Sequence, residues 1–200
     1  MVTAEKTATA LEQPALEQPV IERPLMWDDL ESTPESGERY EIFHGEMVVS
    51  ASPTPPHSRV STRLASALER HVEATHSGVV FGTPVDVQLT LYDILGPHVC
   101  FVSTARLHII GPTFLTGAPD LVVEVFSPST RRRDLVQKAA LYAAAGVPEY
   151  WQVDPVAKGV RVLELMDGLY VAVVSKGVNV PSRVLPKLKL SIASLFAGLD

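Results

Sequence analysis

Residues Pro119–Thr130 read PDLVVEVFSPST. Leu121, Val122, Val123, Val125 and Phe126 form a short apolar run closed by Ser and Pro, the pattern of a strand buried on both faces. Glu124 interrupts it. An unpaired ionised carboxylate is costly in a low-dielectric strand, so Glu124 is neutralised, paired, bound to a cation, or turned to water at a sheet edge. Asp120 shares its strand face, but four residues at ~3.3 Å each separate the two Cα atoms by about 13 Å, whereas ligands of one divalent cation lie within ~2.5 Å of it. A partner for Glu124 must come from another strand.

The rest of the chain frames that strand. Two hundred residues suffice for one α/β domain and are few for two. With 46% apolar and 20% charged residues the composition is that of a globular protein. The single cysteine, Cys100, excludes an internal disulfide and any cysteine-rich zinc site, and suits a reducing cytosol. No apolar run approaches the ~20 residues of a membrane span, and the acidic, Pro-containing N-terminus has no secretory pattern. The reading is a cytoplasmic protein with no membrane partner. A net charge of -6 means that a nucleic-acid partner requires a locally basic surface, for which Arg131, Arg132 and Arg133 are the compact candidate.

Residues 1–24 contain ALEQPALEQP and then VIERP, a Pro-punctuated repeat with no apolar face, read as a disordered tail outside the core. The domain spans 25–200. MWDDLES predicts a short helix, and RYEIFHGEMVV a hairpin turning at His44 and Gly45. Val60, Leu64, Leu68 and Val72 recur every four residues, one side of a helix of about five turns over 57–76. PVDVQLTL alternates as a half-buried strand, and HVCFV and DLVVEVF follow as strands. DLVQKAALYAAAG predicts a helix closed by Gly146, with Pro148 beyond it. EYWQVD, KGVRVLEL and DGLYVAVV are strands, the last two joined through Asp167 and Gly168, and SIASLF is a final short helix. This order predicts an α/β or α+β fold with a mixed central sheet flanked by helices.

Four stretches together, RYEIFHGEMVV, PTPPHSRV, GAPDLVVEVFSPST and DLVQKAALYAAAGVPEYWQVDP, resemble the Uma-two endonuclease family (domain of unknown function 820). This bacterial group has the PD-(D/E)XK restriction-endonuclease-like fold, and the similarity runs from about Trp27 to PKLKLSIASLF. The resemblance implies a metal-dependent DNA endonuclease in which two neighbouring strands each place an acid beside Mg²⁺ or Mn²⁺ and a lysine sits near the attacking water. Glu124 matches the strand acid. The lysine expected two residues on is Phe126, and the substitute is Lys138, which has the alternative of a surface ion pair with Asp134 four residues earlier. Glu41 matches an acid near the metal, or is an ordinary hairpin carboxylate. Where the family reads P-D-V, this chain reads P-H-V, so His98 stands for an aspartate as metal ligand. A neutral imidazole removes a negative charge and suits Zn, Fe, Ni or Cu better than Mg²⁺. The site is then weakened, altered in its metal, or dead, with the domain kept as an inactive DNA-binding or protein-interaction module. If the alignment through YDILG slips, Asp86 or Asp93 supplies the acid, Asp86 being the better placed. Family members are often homodimers.

The other candidates have plainer readings. Cys100 is read as a small buried hydrophobe, because no base with an orienting acid accompanies it. No GxSxG elbow and no phosphate-cradling Gly loop occurs, which leaves serine-hydrolase and nucleotide-cofactor readings without support. His57 caps the start of its helix or faces the cleft. Arg131–Arg133 meet DNA phosphates or are a solvated face, and Tyr150 and Trp151 are core aromatics.

Overall fold

The structure, a computed structural model, describes residues 23–33, 38–50, 52–83, 85–127, 133–174 and 177–199. The repeat tail up to residue 22, and Arg131 and Arg132, lie outside them. In chain order the elements are α1 (Trp27–Glu31), the hairpin β1 (Arg39–Phe43) and β2 (Glu46–Ser50), α2 (Pro55–Thr75), β3 (Gly78–Phe81), β4 (Val87–Thr90), β5 (Asp93–Leu95), β6 (Val99–Ser103), β7 (Leu115–Thr116), β8 (Leu121–Val125), α3 (Ala139–Ala144), β9 (Glu149–Asp154), β10 (Gly159–Met166), β11 (Leu169–Ala172) and α4 (Ile192–Phe196).

The strands form two mixed sheets where the sequence suggested one. The first runs β2-β1-β5-β4-β7 and the second β11-β10-β9-β8-β6-β3. The difference involves YDILG, to which the sequence assigned no strand. Leu91 and Tyr92 are exposed at a turn, and Asp93–Leu95 returns as a strand antiparallel to β4 and to β1. A strand of three residues is too short for its alternation to register as a period.

β8, the quoted strand, lies inside the second sheet, antiparallel to β6 and parallel to β9. Leu121, Val123 and Val125 point to one face, where Val60, Leu64, Leu68 and Val72 of α2 cover them. Burying those four helical side chains is worth roughly 1.5–3 kcal/mol each. Val122 points to the opposite face, into a second cluster with Tyr142 of α3 and with Tyr150. Glu124 shares that face by period, and so the crossover joining the parallel strands β8 and β9 brings α3 over it.

The turns follow their residues. His44 and Gly45 have φ of 51° and 80°, and Asp167 and Gly168 have 50° and 79°, the left-handed pair of a two-residue hairpin. At Gly45 a Cβ would also meet Pro24 Cβ at 2.6 Å. α2 begins with Pro55 at its first turn and is closed by His76 at φ 50°. The crossover helix departs from expectation: residues 133–138 form a wide π-helical turn before α3 begins, and Gly146 closes α3 at φ 81° as predicted.

Candidate active site

Glu124 is wholly buried, and its hydrogen-bond partners arrive from two other parts of the chain, the turn before β6 and the crossover after β8. The register of β6 on β8 pairs Val99 with Val123, so one residue further His98 stands opposite Glu124. His98 Nδ1 is hydrogen-bonded to Glu124 Oε2. Lys138 Nζ donates to Glu124 Oε1 at 2.7 Å, and the Tyr142 hydroxyl donates to the same oxygen at 2.9 Å. Lys138 and Tyr142 are four residues apart, which sets both over β8. Lys138 also donates to Glu41 Oε1 at 2.8 Å, and that oxygen accepts the Gly96 amide at 2.9 Å. One ammonium thus bridges an acid from each sheet. The site sits at the seam where the first sheet runs through Gly96, Pro97 and His98 into the second.

Three open readings close here. Lys138 is 1% exposed and turned to the two glutamates, so it does not lie at the surface; the side chain of Asp134 lies outside the described part. Glu41 is 1% exposed and belongs to the cluster, so it is no ordinary hairpin carboxylate. His57 does not cap its helix: the N-cap is Thr54, without a side-chain cap bond, and His57 Nε2 lies 2.8 Å from His98 Nε2. Of the alternative acids, Asp93 is engaged in its own turn, accepting the His44 amide at 2.8 Å and the Thr90 hydroxyl at 2.7 Å. Asp86 is half-buried within electrostatic reach of Arg39 and Glu41. Arg133 opens the π-helical turn, and its side chain lies outside the described part.

The electrostatics follow from burial and proximity. Burial alone would push the Glu124 carboxyl up, but the charge of Lys138, then His98 and Arg39, holds it well below the usual carboxylate range. Glu41 is likewise lowered: Lys138 and Arg39 outweigh burial and the repulsion of Glu124. Burial raises Asp86. His57 is pushed down to about 4, first by burial and then by His98, so its ring is neutral near pH 7. Tyr142 is raised by burial and by Glu124, which keeps its hydroxyl a donor. Cys100 is wholly buried and its thiol is pushed up by burial, which ends a cysteine-nucleophile reading.

Two participants escaped sequence reading. Tyr142 was legible as the residue four beyond Lys138. Arg39 was not: its NH2 lies 3.7 Å from Glu41 Oε1 two residues along the same strand, but its NH1 lies 3.4 Å from His98 Nε2, a contact across 59 residues that only the fold creates. Buried side-chain N or O atoms lacking a hydrogen-bond partner, among the described residues, are Arg39 Nε and NH2, His57 Nδ1 and Gln152 Oε1. All belong to this neighbourhood, since Gln152 is paired with Glu124 across β8 and β9.

A family model described as "Uma2: Putative restriction endonuclease" matches residues 27–193. A solved structure described as a "putative nuclease belonging to DUF820", from Anabaena variabilis, matches with a TM-score of 0.73 and 19% identity over 88% of this chain and 100% of that one. At that identity the likeness shows the fold. No curated protein matches the chain.

Such a fold implies a divalent cation, and the donor set fits one poorly. No group of three or more His, Cys, Asp or Glu side chains that could hold a metal ion occurs among the described residues. Both oxygens of Glu124 are engaged by Lys138, Tyr142 and His98, and the Lys138 ammonium takes the point between Glu41 and Glu124. The remaining neighbour, the His98 imidazole, is itself a poor ligand for a hard cation.

Proposed function

The chain belongs to the Uma2 family of restriction-endonuclease-like proteins, and from that premise we propose that it is a DNA endonuclease whose centre keeps the family layout in weakened form. Glu124, Lys138 and Glu41 are its reacting-site residues. The observation that supports the reading is the Lys138 ammonium held 2.7 and 2.8 Å from two buried acids that different sheets supply. A fold does not gather three buried charges for stability alone, because apolar residues of similar volume would serve as well or better. Mg²⁺ or Mn²⁺ would be the cofactor of this proposal, with Glu124 and His98 as its side-chain ligands; because both are engaged in the ion network, a cation would have to displace those contacts to bind, and its affinity would be low. Arg131, Arg132 and Arg133 would meet the DNA backbone beyond β8, and a homodimer would present a second centre to the other strand.

The closed ion network favours one second reading, a catalytically inert DNA-binding domain. Nicking of supercoiled plasmid in Mg²⁺ and then Mn²⁺ separates the two, run on the native chain, Glu124→Gln and His98→Asp. The expected result is slow native nicking, none by Glu124→Gln, and faster nicking by His98→Asp in Mg²⁺. A native chain inert with both metals, with activity gained in His98→Asp, establishes the inert reading. Undiminished nicking by Glu124→Gln would remove this site from either account.

A further inference from the structure

We propose that Gln152 is the positioning residue for Lys138: its side-chain amide fastens the π-helical turn 133–138 to the strand beside Glu124 and so fixes where that turn delivers the ammonium. The inference rests on the reading of Lys138 as a reacting-site residue, and its test reads the place of Lys138 apart from any activity. It begins from an unexpected letter. β9 is buried at all six of its positions, and Gln152, 2% exposed, is an amide at a place where Leu or Met would fill the volume at no polar cost.

A ring of contacts closes through that amide. β8 and β9 run parallel with Glu124 opposite Gln152, and the period of two sets both side chains on the face that the crossover covers. Gln152 Nε2 donates to the Leu135 carbonyl at 3.3 Å. Leu135 and Lys138 belong to the same π-helical turn, three residues apart. Lys138 Nζ returns to Glu124 Oε1 at 2.7 Å. The turn is thereby pinned to two adjacent strands, through a main-chain carbonyl at one point and through the ammonium at the other.

The two ends of the amide differ. Gln152 Oε1 is buried without a hydrogen-bond partner among the described residues, so the bond to Leu135 is what burial of this group obtains. Lysine needs such support. Its head rides on a flexible four-carbon stem, and here the stem starts from a π-helical turn, a wide geometry found mostly as single turns and often at functional sites. Val136, on the outer side of the same turn, is 64% exposed, so the hold comes from the sheet side. Reacting groups must be kept within ~0.5 Å of their productive place, and the side chains that keep them there belong to the site.

The test is acylation of the folded full chain with acetic anhydride, read by mass spectrometry at each lysine, on the native protein, Gln152→Met and Val153→Ala. Lys138 is 1% exposed and should be labelled slowly in the native chain, with the exposed Lys187 and Lys189 as internal standards. Met fills the volume and deletes the donor, so acylation of Lys138 should rise about tenfold or more as the turn lifts. Val153→Ala weakens the same strand from its opposite face without touching the amide, and should leave Lys138 at the native rate. Gln152→Asn, one methylene too short to reach Leu135, carries the same expectation where Gln152→Met fails to fold. Native-rate labelling of Lys138 in a folded Gln152 variant, or an equal rise in Val153→Ala, overturns the proposal. Plasmid nicking is read separately. In a native chain that nicks, Gln152→Met should lower kcat roughly tenfold to hundredfold and leave KM within about twofold, because the amide places a reacting group and binds no substrate. Undiminished kcat in a variant whose Lys138 is freely acylated also overturns it, since the place of the lysine would then not matter to the reaction. Gln152-dependent acylation in a chain that never nicks DNA upholds the positioning and removes the endonuclease reading instead.

Discussion

Replacing Lys138 by Met tests the energetics of the site most directly. The substitution keeps most of the buried volume and deletes the ammonium that lies 2.7 Å from Glu124 and 2.8 Å from Glu41. Removing one partner of a buried ion pair costs about 3–5 kcal/mol, because the remaining charge stays dry. In a domain of this length each kcal/mol lowers Tm by about 2–4 °C, so the variant should melt roughly 6–20 °C below the parent near pH 8. The pH dependence carries the argument. In the parent both carboxyls are held below their ordinary value, so their contribution is present above about pH 4.3 and lost as pH falls through the folded values. Without Lys138, burial dominates and raises them. The folded variant then binds the extra protons, so its stability improves as pH falls from 8 towards 5. The assay is thermal unfolding by circular dichroism at pH 8 and pH 5 for both proteins. The gap should be widest at pH 8 and narrow at pH 5, and adding Glu41→Gln to the variant should recover part of the loss. Equal melting at pH 8, or a gap of the same size at both pH values, would refute the account of Lys138 as the compensating charge of the two acids.

Other outcomes follow from the same geometry. His57 is neutral in the fold down to about 4, whereas an unfolded histidine protonates near 6.5, so the parent should lose about 2 kcal/mol between those pH values after allowance for solvent screening. His57→Phe should flatten that part of the pH–stability curve, measured by urea unfolding. Glu149, wholly buried, accepts the Trp151 indole N–H at 2.7 Å and the Arg183 amide at 2.7 Å. Glu149→Ala should therefore destabilise by at least about 3 kcal/mol and loosen the segment before α4, which limited proteolysis would detect. Gly45→Ala places a methyl 2.6 Å from Pro24 Cβ at a φ of 80°, and should cost about 1–3 kcal/mol in chemical denaturation.

What was legible depended on the range of the interaction. The long helix was readable because Val60, Leu64, Leu68 and Val72 repeat at its period and all four are buried. The Asp167–Gly168 hairpin was readable because the turn conformation is a property of two residues. Glu124 stood out because burial of a carboxylate among valines violates a local rule. By contrast, Asp93–Leu95 is a strand through its pairing with β1 and β4 and not through its own pattern, and with it the second sheet went unseen. His57 could have capped a helix or faced a cleft until α2 was packed on β8.

The sequence by itself determined that a carboxylate interrupts an apolar strand, that a partner for it would have to lie elsewhere in the chain, and that Asp120 is too far along the strand to be that partner. Those are statements about residue type, period and reach along one strand. Only the tertiary structure decided who meets whom. Lys138 and Tyr142 reach Glu124 through a crossover, Glu41 and Arg39 come from the other sheet, and His57 comes from a helix 41 residues before His98. A side chain's charge is written in its letter, but the field it feels is summed over neighbours within a few ångströms, and folding chooses those neighbours without regard to distance along the chain.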